Sequence, residues 1–108
     1  MTTISTDNDL LTLINVFAVD PVNQQQLVDL LTFATDDSVR KKEGFISASL
    51  HRSLDGTKVT MYAQWRSIED YQAMRNSPDA SPYLQQALAI SKFESGVYEV
   101  VRTFLPVT

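Results

Sequence analysis

The chain has 108 residues, an apolar fraction of 44% and a formal net charge of −4, which fits one compact domain and leaves no room for a second core. Because it contains no cysteine and a single histidine, His51, the composition excludes disulfides, thiolate nucleophiles and metal centres rich in cysteine or histidine. The acidic balance also argues against nucleic acid as a partner, since basic residues supply most of that affinity.

The chain opens with a polar segment. Residues 1–9 are polar and acidic and lack the basic start and apolar core of a secretion signal. No apolar run approaches the ~20 residues of a membrane helix. We therefore expect a flexible N-terminal arm over residues 1–9, a single domain over residues 10–108, a cytoplasmic location and no membrane contact.

A strand and a helix are the first predicted elements. Residues 10–19 are β-rich and apolar on both faces, as in a strand that is covered on both sides. Asp20 suits the N-cap of a helix and Pro21 its first position, and Gly44 can end this helix. The apolar residues Leu27, Leu30, Leu31 and Ala34 fall at helical spacing between these signals.

A hairpin, two short helices and a last strand follow. Strands at 45–53 and 58–66 flank Asp55-Gly56, a dipeptide typical of a type I′ turn. Ser67 predicts the start of one helix, Ser81-Pro82 predicts the start of another, and residues 97–105 are predicted to form the last strand. The order βαββαβ predicts an α+β, ferredoxin-like fold: a four-stranded antiparallel sheet with helices on one face.

Strand alternation assigns the hairpin residues to two faces. Pairing symmetric about the turn puts Ile46 opposite Trp65, Ala48 opposite Ala63 and Leu50 opposite Met61, on a face that should meet the helices. The opposite face then carries polar residues: Ser47 with Gln64, Ser49 with Tyr62, and His51 with Thr60. Trp65 and His51 are thus predicted to point to opposite faces. On the first strand, the row that should face the helices comprises Leu11, Leu13, Asn15, Phe17 and Val19.

The second face of the sheet needs a cover, because helices occupy only one face while the first and last predicted strands are apolar on both. A second copy of the sheet is the simplest cover. We therefore predict a homodimer, a dimeric α+β barrel, with Ser47, Ser49, Tyr62 and Gln64 on the inter-subunit side.

Four segments carry a family resemblance: INVF in the first strand, EGFISASLHRSLDG through the second, YAQW in the third and VYEVVRTF near the end. Together they resemble the antibiotic biosynthesis monooxygenase family, over nearly the whole chain. The chain looks most like family members that oxidise anthrone-type polycyclic phenols or quinols to quinones with O2 and without metal or flavin. The resemblance implies a homodimer that binds a small aromatic substrate and O2 and needs no cofactor.

The resemblance also implies the site residues. A first-strand asparagine and the tryptophan that ends YAQW are the working residues of such relatives, and they match Asn15 and Trp65, which we expect to be catalytic. An asparagine often precedes YAQW in these relatives, whereas this chain departs from the pattern with a methionine at that position. We expect the substrate to contact Ala48, Met61, Ala63, Tyr71 and His51.

Such a site must bind an aromatic ring, hydrogen-bond a developing oxyanion and shield the intermediates from water. Asn15 would hold the oxyanion, and Trp65 would orient the substrate by stacking and through its indole N–H. No strong base is evident on that face, so water or Tyr71 would take the substrate proton.

Structural roles compete with these assignments. A lone tryptophan in a strand most often belongs to the core, Tyr71 would serve equally in packing, and His51 fits a hydrogen-bonded position on the dimer face. One functional alternative is a non-catalytic dimer that binds a small ligand, which Met61 favours. Another is a haem-degrading monooxygenase, which requires a proximal histidine on the helix after the tryptophan, and residues 68–93 contain none.

Overall fold

The computed structural model describes residues 10–107, so the predicted arm over residues 1–9 lies outside the described residues. Its regular elements are β1 (Leu11–Val19), α1 (Gln24–Asp37), β2 (Phe45–Arg52), β3 (Lys58–Trp65), α2 (Ile68–Arg75), α3 (Ser81–Ile90) and β4 (Ser91–Tyr98). The strands form one antiparallel sheet in the order β2-β3-β1-β4. This topology confirms the predicted ferredoxin-like fold.

Local signals set where the helices begin. The Asp20 carboxylate accepts a hydrogen bond from the Val22 amide at 3.0 Å and caps a short 3-10 turn that leads into α1. The Ser67 hydroxyl caps α2 in the same way by accepting from the Asp70 amide at 3.2 Å. Both predicted caps are therefore confirmed.

A contact distant in sequence sets where α1 ends. The helix stops at Asp37 rather than running towards Gly44 as predicted. The next residue, Ser38, has non-helical backbone angles, and its buried hydroxyl donates to the Asp79 carboxylate at 2.7 Å. Lys42 also donates to Asp79, and together these hydrogen bonds hold the pKa of the Asp79 carboxyl well below its usual range. This anchor diverts the chain from the helix axis.

The hairpin register is confirmed except at its far end. Ala48 pairs with Ala63 and Leu50 with Met61, as symmetry about the turn predicts. The prediction that Ile46 pairs with Trp65 is wrong, because a bulge between residues 45 and 47 makes Phe45 the partner of Trp65. The bulge leaves Ile46 46% exposed and places the Phe45 ring beside Trp65.

The turn of this hairpin also differs from the prediction. A type I′ turn requires positive φ at both central residues, and of the two only Gly56 has one, at 84°. The Asp55 carboxylate instead accepts hydrogen bonds from the amide and hydroxyl of Thr57. These bonds stabilise a longer connection and lower the pKa of Asp55 to about 2.

The prediction of a last strand at residues 97–105 is wrong. Strand β4 begins at Ser91, directly after α3, and its pairing with β1 ends at Tyr98 opposite Thr12. Residues 99–107 have no regular structure. Residue 99 would fall opposite Leu11, the first residue of β1, so continued pairing beyond it would carry the following residues past the start of that strand. Their β-rich composition had favoured a strand.

The helices pack on one face of the sheet, as predicted. Phe17, Val19 and Val59 pack with Leu27 and Leu31 of α1, and a second cluster joins Leu13, Ala63 and Trp65 of the sheet to Tyr71 of α2. Ser47, Ser49, Tyr62 and Gln64 alternate with these positions and so lie on the opposite face. Within residues 10–107, no helix is both long and apolar enough to span a bilayer.

Candidate active site

A cavity of about 110 Å³ lies between the sheet and the helices. Most of its walls are apolar, with side chains from all four strands and all three helices. The residues predicted from the sequence that line it are Asn15, Ala48, Met61, Ala63, Trp65 and Tyr71. By comparison, an engineered cavity of ~150 Å³ in another protein binds benzene, so this one has room for about one ring.

Asn15 brings an amide to the cavity from the middle of β1. The Ser95 hydroxyl on β4 donates to Asn15 Oδ1 at 2.7 Å, directly across the β1–β4 pair. No acceptor among the described residues takes a hydrogen bond from Asn15 Nδ2. With its carbonyl oxygen already engaged, the Asn15 amide can present its N–H groups to a ligand.

Trp65 is only 1% exposed and ends strand β3. Its indole packs edge-on against Phe45 and Tyr71, with ring centroids 5.4 and 5.9 Å away. Buried indole N–H groups usually have a hydrogen-bond partner, yet no residue of the described chain accepts from Trp65. The ring is therefore held rigidly while its N–H stays available.

Tyr71 lies on α2 and is 5% exposed. Its hydroxyl has no hydrogen-bond partner within residues 10–107, and an unpaired buried hydroxyl costs on the order of 1–3 kcal/mol. A ligand that hydrogen-bonds to Asn15, Trp65 or Tyr71 would remove the free-energy cost of leaving that polar group unpaired.

The remaining predicted residues shape the cavity or lie outside it. Ala48 pairs with Ala63, and their small side chains leave the space above the sheet open. Met61 lies directly opposite Asn15 in the β1–β3 register. His51 does not line the cavity: it is exposed on the other face, with its Nε2 3.4 Å from the Ser49 hydroxyl. The hairpin therefore keeps Trp65 and His51 apart, as alternation predicts.

Arg75 and Tyr83 also line the cavity, although neither was predicted as a site residue from the sequence. Arg75 follows Tyr71 by one helical turn, a spacing that places both on the same face of α2. The Tyr83 hydroxyl donates to Asp37 at 2.8 Å, which raises the pKa of Tyr83. Spacing relative to Tyr71 was the signal that could have identified Arg75.

Among the described residues, no carboxylate or imidazole lines the cavity. Elsewhere in residues 10–107, no three histidine, cysteine, aspartate or glutamate side chains cluster closely enough to hold a metal ion. The chemistry available from these walls is therefore hydrogen bonding by N–H and O–H groups, aromatic packing and one guanidinium.

Comparison with known proteins identifies the family. Residues 10–86 match the model of the antibiotic biosynthesis monooxygenase family. The chain is 42% identical, over 96% of its length and 93% of the relative, to the tetracenomycin-F1 monooxygenase of Streptomyces glaucescens. The protein belongs to the antibiotic biosynthesis monooxygenase family, which confirms the resemblance seen in the sequence.

Solved structures agree with this assignment. The ActVA-Orf6 monooxygenase of Streptomyces coelicolor, crystallised with the ligand nanaomycin D, superposes with a TM-score of 0.74 at 31% identity, over 90% of this chain and 92% of that one. SnoaB of Streptomyces nogalater, a cofactor-independent oxygenase, shares the fold with a TM-score of 0.70 at 22% identity, over 93% of this chain and all of that one.

Proposed function

We propose that the protein is a cofactor-independent monooxygenase that oxidises a polycyclic phenol of the anthrone or quinol type to a quinone with O2. The observation that carries this proposal is the set of N–H and O–H groups on Asn15, Trp65 and Tyr71 that have no hydrogen-bond acceptor or partner within residues 10–107 and line one mostly apolar cavity. Its relatives support an oxygenase reaction, since they include the tetracenomycin-F1 monooxygenase and a cofactor-independent oxygenase.

The reaction requires the protein to stabilise an anion and then to exclude water. Transfer of a proton from the methylene group of an anthrone to water or to Tyr71 gives a carbanion whose charge is delocalised onto the ketone oxygen. Donation from Asn15 to that oxygen favours the anion, since preorganised donors act strongly in a dry site. Trp65 packs against the ring and offers a second donor.

Oxygen then reacts with the bound carbanion. One electron passes to O2, the resulting radical and superoxide combine to form a C–O bond, and the peroxide takes up a proton. Loss of the second methylene proton with cleavage of the O–O bond leaves a carbonyl and water. Overall, one CH2 group and one O2 become one C=O group and one H2O. Tyr71, which lines the cavity, would pass protons, and the apolar walls would protect the intermediates.

Oxygen uptake tests the proposal. Purified protein with a chelator and a panel of anthrones and quinols should consume one O2 per quinone, and with ¹⁸O2 one labelled atom should enter the anthrone-derived carbonyl. The control variant Thr32→Ala, on the exposed surface of α1, should consume oxygen at the wild-type rate. Tight binding of such phenols without oxygen uptake across the panel would favour the alternative, a non-catalytic ligand-binding dimer, for which the argument is Met61 in place of the asparagine of related enzymes.

We also propose that the protein is a homodimer that buries the open face of the sheet. Ile14 and Val16 of β1 alternate with cavity residues and so point to that face beside Tyr62, where no helix of residues 10–107 covers them. Tyr62→Glu should shift the sedimenting species from dimer to monomer, because it places a charge in the centre of this face. Thr32→Glu on α1 should leave the dimer intact, and a monomeric wild-type protein would reject the proposal.

A further inference from the structure

Arg75 differs from the other cations of the chain. The structure pairs Arg40, Lys42 and Arg66 with carboxylates at distances of 2.7–3.2 Å. The cations without such a partner among the described residues are exposed, with one exception: Lys41, Arg52, Lys58, Lys92 and Arg102 are exposed, whereas Arg75 is half-buried. Partial burial of a cation without a charged partner is energetically unfavourable. Such a cation therefore suggests an anionic ligand that pairs with it.

The surroundings of Arg75 define what it could bind. Its guanidinium carbon lies 5.8 Å from the ring centre of Tyr71 and 5.5 Å from that of Phe93, which positions it by cation–π contacts. It lines the same cavity as Asn15 and Trp65, and none of the carboxylates that the structure describes lines that cavity. A planar guanidinium with free N–H groups matches an oxygen anion carried by a flat ligand.

We propose that Arg75 binds an anionic oxygen, either a phenolate or a carboxylate, on the rim of the aromatic substrate. This inference rests on the proposed function and specifies that its substrate is anionic. The cavity has room for about one ring of a polycyclic molecule, so the other rings must extend beyond its walls. Because Arg75 is the partly exposed cation of the lining, it meets the portion of the substrate that extends from the reacting ring. Substrates that carry an ionised group at that position are therefore favoured.

Binding of small probes tests this assignment without turnover. The probes are 2-hydroxy-1,4-naphthoquinone, which is ionised at neutral pH, its neutral methyl ether, and 2-naphthoate with its neutral amide. Affinities are measured by calorimetry for the wild type, Arg75→Gln, Arg75→Lys and the control Arg40→Gln, which removes an equal charge from an exposed ion pair.

The expected result is selective. Arg75→Gln should weaken an anionic probe about 10- to 100-fold, the range associated with hydrogen bonds to charged groups, and its neutral counterpart less than about 2-fold. The pKa of the bound hydroxyquinone, read from its visible band, should rise in Arg75→Gln because the stabilising cation is gone. If Arg75→Gln weakens the binding of the naphthoate alone, the group that Arg75 binds is a carboxylate. If it weakens the binding of the hydroxyquinone alone, the group is a phenolate.

Several outcomes would overturn the assignment. Equal losses for charged and neutral probes, or equal effects of Arg75→Gln and Arg40→Gln, would show that Arg75 has only a structural role. If Arg75→Gln does not fold, the wild type and Arg75→Lys still test the proposal. A wild type that binds anionic and neutral probes with equal affinity would reject it. An intact anion preference without oxygen uptake would reject the monooxygenase and keep the anion site, so the two failures are distinguishable.

Discussion

Replacing Asn15 with leucine should separate stability from activity. The substitution removes one observed hydrogen bond, in which Ser95 donates to Asn15 Oδ1 at 2.7 Å. Such a bond contributes about 0.5–1.5 kcal/mol. Because Ser95 is exposed, its hydroxyl can bond to water instead and leaves no buried group unpaired.

The gain from the leucine side chain offsets this loss. The amide lies beside Phe17 and Met61 in the cavity wall, and burying about 40 Å² of added apolar surface there would contribute about 1 kcal/mol at ~25 cal/mol/Å². The net change in the free energy of unfolding should therefore stay within about 1 kcal/mol. For a domain of this size that corresponds to a shift in melting temperature below about 8 °C.

Activity should respond very differently. If the Asn15 amide donates to the substrate oxyanion, its loss should lower kcat about 10²- to 10³-fold, as measured when one oxyanion donor is removed elsewhere. Thermal melts and oxygen-uptake rates of Asn15→Leu test both halves. Ser95→Ala is the matched control for stability, since it deletes the same hydrogen bond and keeps the amide. A variant Asn15→Leu that melts well below the wild type yet turns over normally would refute the catalytic role.

Three further predictions follow from the site and the hairpin. Trp65→Phe should lower the free energy of unfolding by about 1–3 kcal/mol through the space left in the core and reduce turnover, and normal oxygen uptake would contradict the role of the indole N–H. Met61→Asn should raise turnover, since it adds a second amide opposite Asn15, while costing about 1–2 kcal/mol of apolar burial; a stable variant with unchanged turnover would show that the amide is dispensable. The pKa of Asp55 is about 2 in the folded protein, below its ordinary value. The ionised Asp55 carboxylate therefore contributes fully to the free energy of unfolding above about pH 4, and this contribution is lost as the pH falls towards 2. Melts of the wild type and Asp55→Ala between pH 2 and 6 should therefore differ at the upper end and converge at the lower, and a difference independent of pH would contradict the assigned hydrogen bonds.

Features encoded within a few residues could be predicted from the sequence. The caps at Asp20 and Ser67 depend on a side chain and an amide two or three positions apart, so they form wherever the helix does. Strand alternation is equally local: it placed Asn15 and Trp65 on the helix side and His51 on the other before any contact was known. The family motifs added the chemistry expected of those positions.

Features that depend on distant contacts were decided only by the tertiary structure. The end of α1 depends on the bond between Ser38 and Asp79, and the orientation of the Asn15 amide depends on Ser95, 80 residues away. The extent of β4 follows from where β1 begins, which is a property of the pair and not of either segment. Arg75 acquired its place in the cavity because α2 packs over the sheet beside Phe93. A sequence pattern records what each segment can do alone, whereas partners distant in the chain are chosen by the free energy of the whole packed arrangement.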